Sequence, residues 1–229
     1  MRSSRFTLVS GAVCLALFAA VWLWQTRGIV AGRITAAELD AYVAKVDGAN
    51  MPTDEKAELK TRLRAWGEAD DGKPVFMLNL MRYHDALRRW PGAPAFDGSS
   101  QQANAYYESQ VVPLALGLGA YPIAAGEAQG GDVLMVGDKT QRHDLHGAAN
   151  ELDDWGRVLV MRYPSRRTFF DLITDARYLP NLPYKLMALQ VVLVPVATDL
   201  AVPEVRWLTA GILLTTFLAI GWWRALREG

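Results

Sequence analysis

The stretch Val75–Tyr83 (VFMLNLMRY) decides the fold that this sequence predicts. It is apolar at nearly every position, which is typical of a strand that is covered on both faces of a sheet. Pro74 and the turn signal Asp70-Asp71-Gly72 mark where it begins. A second stretch, Arg157–Tyr163 (RVLVMRY), has the same character. The two stretches predict neighbouring strands of one sheet that is buried on both sides.

The segments around these strands alternate between helical and extended patterns. The predicted elements are a helix over Ser100–Leu118, strands over Ala120–Ala128 and Asp132–Val136, a helix over Ser165–Ala176 and a last strand over Leu189–Val196. Without the Asp132–Val136 hairpin strand, the order is that of the ferredoxin-like βαββαβ plan, an α+β fold with two helices on one face of an antiparallel sheet. Since the helices cover one face only, the pattern predicts a second copy on the other face and hence a homodimer.

A helical lead-in precedes the sheet. From Ile34 to Trp66 the apolar residues recur at helix spacing, and Gly48–Pro52 divides the pattern into two helices. Thr35 and Glu38 have the spacing of a capping box. We therefore assign residues 28–72 to a helical spacer and residues 73–200 to the ferredoxin-like domain.

Two uncharged apolar runs, Phe6–Trp24 and Trp207–Trp223, bracket the chain. As helices they would extend roughly 28 and 25 Å, close to the hydrocarbon thickness of about 30 Å. Buried core helices and a cleaved signal peptide are the alternatives, but tryptophans gather at the ends of the runs and bulky residues occupy the cleavage position. Residues 1–27 and 201–229 are therefore predicted to carry one transmembrane helix each.

The arginines favour one orientation. The tails carry Arg2, Arg5, Arg224 and Arg227, against Arg27, Arg33 and Arg206 on the domain side. Because positive residues stay in the cytoplasm, the count predicts cytoplasmic termini and an extracytoplasmic domain. The expected partners are therefore membrane lipid, a membrane protein and a second copy of the chain.

Composition excludes several classes of function. The formal net charge is zero, so the chain lacks the electrostatic footprint of a nucleic-acid-binding protein. The single cysteine, Cys14, lies in the first apolar run, so the chain has no disulfide framework, thiolate zinc site or solvent-facing thiol nucleophile.

Three pieces of sequence carry a resemblance to a known family. They are residues 74–83 (PVFMLNLMRY), 155–166 (WGRVLVMRYPSR) and 174–178 (TDARY). Together they resemble a bacterial domain-of-unknown-function family of the dimeric α/β-barrel superfamily, which includes cofactor-independent monooxygenases and haem-dependent chlorite dismutases. The resemblance covers Lys73 to Val196 and implies a dimer and a ligand cleft between sheet and helices. Together with the two apolar runs, the bacterial family leads us to expect a bacterial inner membrane as the location. The chain departs from the family in three places. It has a long insert at residues 129–154, it has Tyr184-Lys185 where family members often have a basic or His-Arg pair, and its two ends carry apolar runs that typical soluble members lack.

By this resemblance, four polar residues line the cleft: Asn79, Arg82, Tyr107 and Arg162. Asn79 is a polar group in a buried strand and needs hydrogen-bond partners. Arg82 and Arg162 end two strands that are neighbours in this fold, a geometry suited to an anion. In the alternative interpretation, Asn79 satisfies backbone groups and both arginines pair with acids at the sheet edge.

No cofactor or metal is predicted. His143 and His146 have a spacing that can hold a metal, but a solvated loop explains them better, and a haem ligand from His84 or His146 rests on analogy alone. Gly117–Pro122 begins like a dinucleotide fingerprint but leaves a helix for a strand, the reverse of what phosphate binding needs.

The sequence contains no complete catalytic constellation. Our first hypothesis is therefore a membrane-anchored binding or assembly module. The alternative is a small cofactor-independent enzyme, an oxygenase or isomerase acting on a lipophilic substrate, which requires a cleft where Asn79, Arg82 and Tyr107 converge.

Overall fold

The computed structural model describes residues 2–27, 29–127, 155–197 and 204–228. The chain divides into two units. Residues 1–27 and 198–229 form one, and residues 28–197 form the other. The predicted strand Asp132–Val136, the insert at 129–154 and the His143–His146 segment lie outside the described residues.

The described residues form seven α-helices, one 3₁₀ turn and four strands. In chain order they are α1 (Arg2–Thr26), α2 (Ala36–Lys45), the 3₁₀ turn (Val46–Gly48), α3 (Thr53–Glu68), β1 (Val75–Tyr83), α4 (Ser100–Gly117), β2 (Tyr121–Glu127), β3 (Arg157–Tyr163), α5 (Arg166–Ile173), α6 (Leu182–Ala188), β4 (Leu189–Val196) and α7 (Val205–Glu228). The chain is therefore α+β, as predicted.

The four strands form one antiparallel sheet in the order β2-β3-β1-β4. Strand β1 lies inside the sheet, where Asn79 is opposite Leu159 on β3 and Leu193 on β4. A register shift between Pro122 and Ala124 interrupts the pairing of β2 with β3. The pairing of β1 on both edges satisfies its backbone N–H and C=O groups.

One helix differs from the prediction. The helix predicted over Ser165–Ala176 ends at Ile173, where the Thr174 hydroxyl bonds to the Phe170 carbonyl. A separate helix, α6, follows at Leu182–Ala188 with Pro183 in its first turn. Proline is well tolerated there because its missing N–H would have no helical partner. The sequence pattern did not reveal α6 because seven residues give barely two turns of periodicity.

Helices α2 and α3 pack into the core of the unit formed by residues 28–197. Leu39, Val43 and Leu63 belong to the same cluster of buried apolar residues as Phe170. The Trp66 ring stacks on Phe170 at a centroid distance of 5.7 Å. The segment predicted as a spacer thus contributes to the core.

An ion pair fastens α2 to α5. Arg167 donates to both carboxylate oxygens of Glu38, at 2.6 and 3.0 Å, and Nη2 of Arg167 also reaches the Arg33 carbonyl at 2.9 Å. The capping box predicted from Thr35 and Glu38 is present. The hydrogen bond from Arg167 has the largest effect on the pKa of Glu38, and with the bonds from Thr35 it lowers that pKa to about 2. The Arg167 bonds thus connect α5 to α2 and to the chain that leads into it.

The two terminal helices are long and apolar enough to cross a membrane. The segments that qualify are Arg5–Thr26, with a mean hydropathy of 2.2, and Val205–Arg227, with 1.4. The helices contact each other: the rings of Trp22 and Trp207 meet edge to face at 5.7 Å. A side-chain carbon on Gly11 would lie 3.4 Å from the Phe217 ring, an ordinary van der Waals distance, so the two helices also meet at that point.

Gly67 on α3 lies where the helix meets the core, and we predict that Gly67→Ala destabilises the fold. The added methyl would collide with Leu39 Cδ1 and lie 3.2 Å from Phe170 Cζ, and both neighbours are buried. Overpacking of this kind costs about 1–3 kcal/mol. Urea unfolding of the detergent-solubilised full chain, followed by tryptophan fluorescence, measures the loss.

Gly117→Ala on α4 is the matched control. No atom lies within 4 Å of the added carbon at Gly117, so this variant should be neutral or up to about 1 kcal/mol more stable. Equal unfolding free energies for the two variants would contradict the packing described for α3.

Candidate functional site

A cavity of about 360 Å³ lies between the sheet and the helices in the unit formed by residues 28–197. Its walls are mostly apolar. Among the apolar lining residues are Leu59, Met77, Val111, Ala115, Met161, Leu172 and Leu193. A volume of this size is within the range of small-molecule sites, about 300–1,000 Å³.

Strand alternation decides which side chains reach the cavity. On β1 the residues Met77, Asn79 and Met81 line it, and the residues between them face the other side of the sheet. On β3 the residues at odd positions, from Arg157 to Tyr163, line it in the same way. The cavity therefore has a floor of alternate residues from the sheet and a roof of helices.

Asn79 lies in the floor and is buried. Its amide nitrogen donates to the carbonyls of Met77 at 3.0 Å and Leu159 at 3.2 Å. Its side-chain oxygen accepts from Lys185 Nζ at 3.4 Å. Asn79 therefore bonds to backbone carbonyls, as one of the two sequence interpretations has it, and also lines the cavity, as the other has it.

Lys185, on α6, is the residue that the sequence interpretation missed as a site candidate. Besides the bond to Asn79, its Nζ lies 5.4 Å from the centroid of the Tyr107 ring. Desolvation lowers the pKa of the Lys185 amine from 10.5 to about 8, and the charge of Glu108 opposes the shift only in part. Within the described residues, no carboxylate lies within ion-pair distance of Nζ. One sequence feature could have indicated Lys185 as a site residue: it is the single charged residue in the otherwise uncharged segment Leu182–Leu189.

Tyrosine hydroxyls supply further polar atoms. Tyr107 Oη donates to Tyr178 Oη at 3.3 Å, and both residues line the cavity together with Tyr163. Burial raises the pKa of all three phenols above the usual value of 10. They therefore remain protonated at neutral pH and can act as hydrogen-bond donors.

A polar group on α4 and β3 completes the lining. Arg157 Nη2 lies 3.1 and 3.2 Å from the two carboxylate oxygens of Glu108. Asn104 also donates to Glu108, at 2.9 Å, and the buried Asn104 side-chain oxygen has no hydrogen-bond partner among the described residues. Two neighbours thus engage the Glu108 carboxylate, and no described carboxylate forms an ion pair with Lys185.

The structure does not bring Arg82 and Arg162 together. Arg162 is opposite Phe76 in the β1–β3 register, six positions from Arg82, and at about 3.3 Å per residue this separation is roughly 20 Å. Because the strands are antiparallel, their carboxyl ends lie at opposite ends of the sheet. Both arginines also lie on the face opposite the cavity, where Arg82 donates to Gln190 and Arg162 lies 5.6 Å from the Tyr121 ring centroid.

Of the four predicted site residues, the structure therefore brings two to the cavity, Asn79 and Tyr107. Asn79, Arg82 and Tyr107 do not converge in the way that the enzyme hypothesis requires. The cation beside Asn79 and Tyr107 is Lys185 and not Arg82. Among the described residues, no three His, Cys, Asp or Glu side chains form a group that could hold a metal ion.

Comparison with known proteins assigns no activity. No protein-family model matches the chain, and no curated protein matches it. The crystal structure of RPA0582 from Rhodopseudomonas palustris, a protein of unknown function, is similar: identity is 19% over 65% of this chain and 94% of that chain, with a TM-score of 0.43. The methylated form of RPA0582 has 18% identity over 66% and 96% of the two chains, also with a TM-score of 0.43.

The lowered pKa of Lys185 has a measurable consequence for stability. Below pH 8 both the folded and the unfolded chain hold the proton, so the cost of burying the ammonium is fully present. Between pH 8 and the unfolded value of 10.5, the folded chain loses the proton first and the cost declines. We therefore expect Lys185→Met to be more stable than the parent at pH 7, by about 3 kcal/mol at most, with the difference shrinking towards pH 9.5.

Urea unfolding of the full chain in detergent at pH 7, 8, 9 and 9.5 measures this trend. Lys60→Met, which removes an amine that pairs with Asp47 at the surface, is the control and should show no such trend. A parent-to-Lys185→Met difference that is constant with pH would contradict the lowered pKa.

Proposed function

We propose that residues 28–197 form a binding module that takes a small, mainly apolar molecule into the cavity between sheet and helices. The single observation that carries the proposal is the cavity itself, about 360 Å³ of space with apolar walls and one amine. Protein interiors are normally packed without voids of this size, because each void forfeits dispersion contacts. A ligand would recover those contacts.

The membrane is the source that we propose for such a ligand. Two helices at the ends of the chain have the length and composition to span a bilayer, so the module would be tethered where lipophilic molecules are concentrated. Four arginines in the tails against three at the domain side favour cytoplasmic termini and an extracytoplasmic module in a bacterial inner membrane.

We further propose that the module has the ferredoxin-like plan. The support is the sheet order β2-β3-β1-β4 with antiparallel pairing throughout, α4 between β1 and β2, and α5 with α6 between β3 and β4. A split βαβ arrangement places the first and third strands side by side at the centre. The β1–β3 pairing has that placement.

The face of the sheet opposite the cavity, which we call the open face, is where a second copy would dock. Its apolar residues are Phe76, Leu78, Leu80, Val158, Val160, Val192, Val194 and Val196. The three valines of β4 remain 38–41% exposed. Contiguous exposed apolar surface of this kind is typical of interaction sites.

The size of the open face fits a modest interface between two copies. Four strands at about 4.8 Å spacing and seven residues at about 3.3 Å give roughly 450 Å² per copy. Two copies would bury about 900 Å², near the lower limit of about 1,000 Å² for a specific interface. Tethering both copies in one bilayer would raise their effective concentration and support such an interface.

Ligand binding is tested with straight-chain alcohols, which are apolar and carry no charge. We expect calorimetry on the detergent-solubilised protein to show affinity for the alcohol rising about fourfold per added methylene, until the alcohol fills the cavity. The affinities are calculated from the free alcohol concentration in water. Val111→Phe places a ring in the cavity and should weaken binding of octan-1-ol by at least tenfold.

Leu116→Phe is the matched control for the cavity. Leu116 lies on the exposed side of the same helix, so this variant should bind like the parent. Alcohols that bind neither variant nor parent, or that bind all three equally, would refute the proposed site.

The dimer is tested by adding a charge to the open face. Val194→Glu should convert a dimer into a monomer, because an unpaired carboxylate in an apolar interface costs several kcal/mol. Native mass spectrometry of the detergent-solubilised chain counts the copies.

Leu116→Glu, at a position of similar exposure (39% against 38%) on the helix side, should leave the dimer intact. A parent that is monomeric, or a Val194→Glu variant that remains dimeric, would rule out the open face as the interface.

A further inference from the structure

The Lys185 amine differs from every other described lysine in where it lies. The sequence contains six lysines: Lys45, Lys56, Lys60, Lys73, Lys139 and Lys185. Lys139 lies outside the described residues. Of the others, Lys185 alone lines the cavity between sheet and helices. Within the part of the chain that the structure describes, its Nζ forms no ion pair; it donates to the Asn79 oxygen and lies over the face of the Tyr107 ring.

An amine in these surroundings is suited to act as a nucleophile. A lysine attacks carbon only when neutral, and burial among apolar groups favours the neutral form. The groups that could restore the proton are few. Among the described residues that line the cavity, Glu108 is the one acid, and Arg157 and Asn104 already hold its oxygens, while Tyr107, Tyr163 and Tyr178 are uncharged at neutral pH.

We propose that Lys185 forms a reversible imine with an aldehyde or ketone carried on an apolar chain, and that such a carbonyl compound is the ligand class of the cavity. This inference rests on the proposed binding function and adds the chemistry of the ligand to it. The apolar walls hold the chain, and the amine of Lys185 meets its carbonyl head.

The reaction balances without any further reagent. The nitrogen lone pair of Lys185 forms a bond to the carbonyl carbon as the C=O π bond opens, and one amine proton passes to the oxygen to give a carbinolamine. The C–O bond then breaks as the nitrogen forms the C=N bond, and the hydroxyl leaves with the second amine proton as water, so an aldehyde and the amine give an imine and one water molecule. Addition of water reverses both steps and returns the ligand unchanged.

Two neighbours position the amine for this attack. The Asn79 oxygen accepts from Nζ and so orients the lone pair, while Asn79 is itself fixed by the Met77 and Leu159 carbonyls. The Tyr107 ring lies against the amine, and its hydroxyl is fixed by Tyr178.

Borohydride trapping tests the inference on the full chain in detergent. The chain is incubated with octanal at pH 7.5, reduced with sodium borohydride and digested, and the alkylated lysines are located by mass spectrometry. We expect alkylation at Lys185 at least tenfold faster than at Lys60 or Lys73. With rising pH, the rate at Lys185 should level off near pH 8, where its amine becomes mostly neutral.

Two variants keep the test decisive. Lys185→Arg retains a charge but cannot form an imine, so its octanal adducts should be confined to the other lysines. Val111→Phe retains Lys185 but fills the cavity, and it should slow trapping at Lys185 without changing trapping at Lys60. If Lys185→Arg fails to fold, Val111→Phe still tests whether trapping at Lys185 depends on the cavity.

The outcomes separate this inference from the binding proposal. Octan-1-ol binding together with octanal trapping no faster at Lys185 than at Lys60 would overturn the imine and leave the binding function standing. Octanoate that binds more tightly than octan-1-ol in the parent but not in Lys185→Met, with no adduct at Lys185, would assign the amine to an anion and also overturn the imine. Failure of both octanol binding and trapping would overturn both proposals.

Discussion

The structure of residues 28–197 depends on the burial of one strand. Strand β1 pairs with β3 on one edge and with β4 on the other, so its backbone polar groups are satisfied only if both neighbours are in place. Its alternate side chains project to two different environments. One set meets the helices and the cavity, and the other forms the open face, so register fixes both features together.

The helix side of the sheet combines close packing with an unfilled space. Tyr42 and Trp66 both pack on Phe170, and Arg167 ties α5 to Glu38. Residues of α3, α4, α5 and α6 surround a cavity with an amine at its wall. Leaving a void and burying an amine both reduce stability, and costs of this kind are found at functional sites.

The three long apolar strands were predicted with their observed bounds, because a continuous apolar run is a local property that a sequence displays directly. The capping box at Thr35 and the two apolar terminal helices were visible for the same reason. Helix α6 was missed because it is too short to show a period. The pairing of Arg82 with Arg162 failed because adjacency of strands does not reveal which ends meet, and antiparallel pairing separates them.

By itself, the sequence determined where the long strands and the longer helices lie, that the chain is α+β, and that its two ends are apolar enough to span a bilayer. These properties follow from local periodicity and composition. Only the tertiary structure decided that Asn79, Tyr107 and Lys185 meet at one cavity while Arg82 and Arg162 lie on the opposite face. That outcome depends on strand register and on the position of a short helix, and both are set by contacts between residues up to about a hundred positions apart, such as Lys185 with Asn79. The chemistry of the site therefore comes from packing at long range.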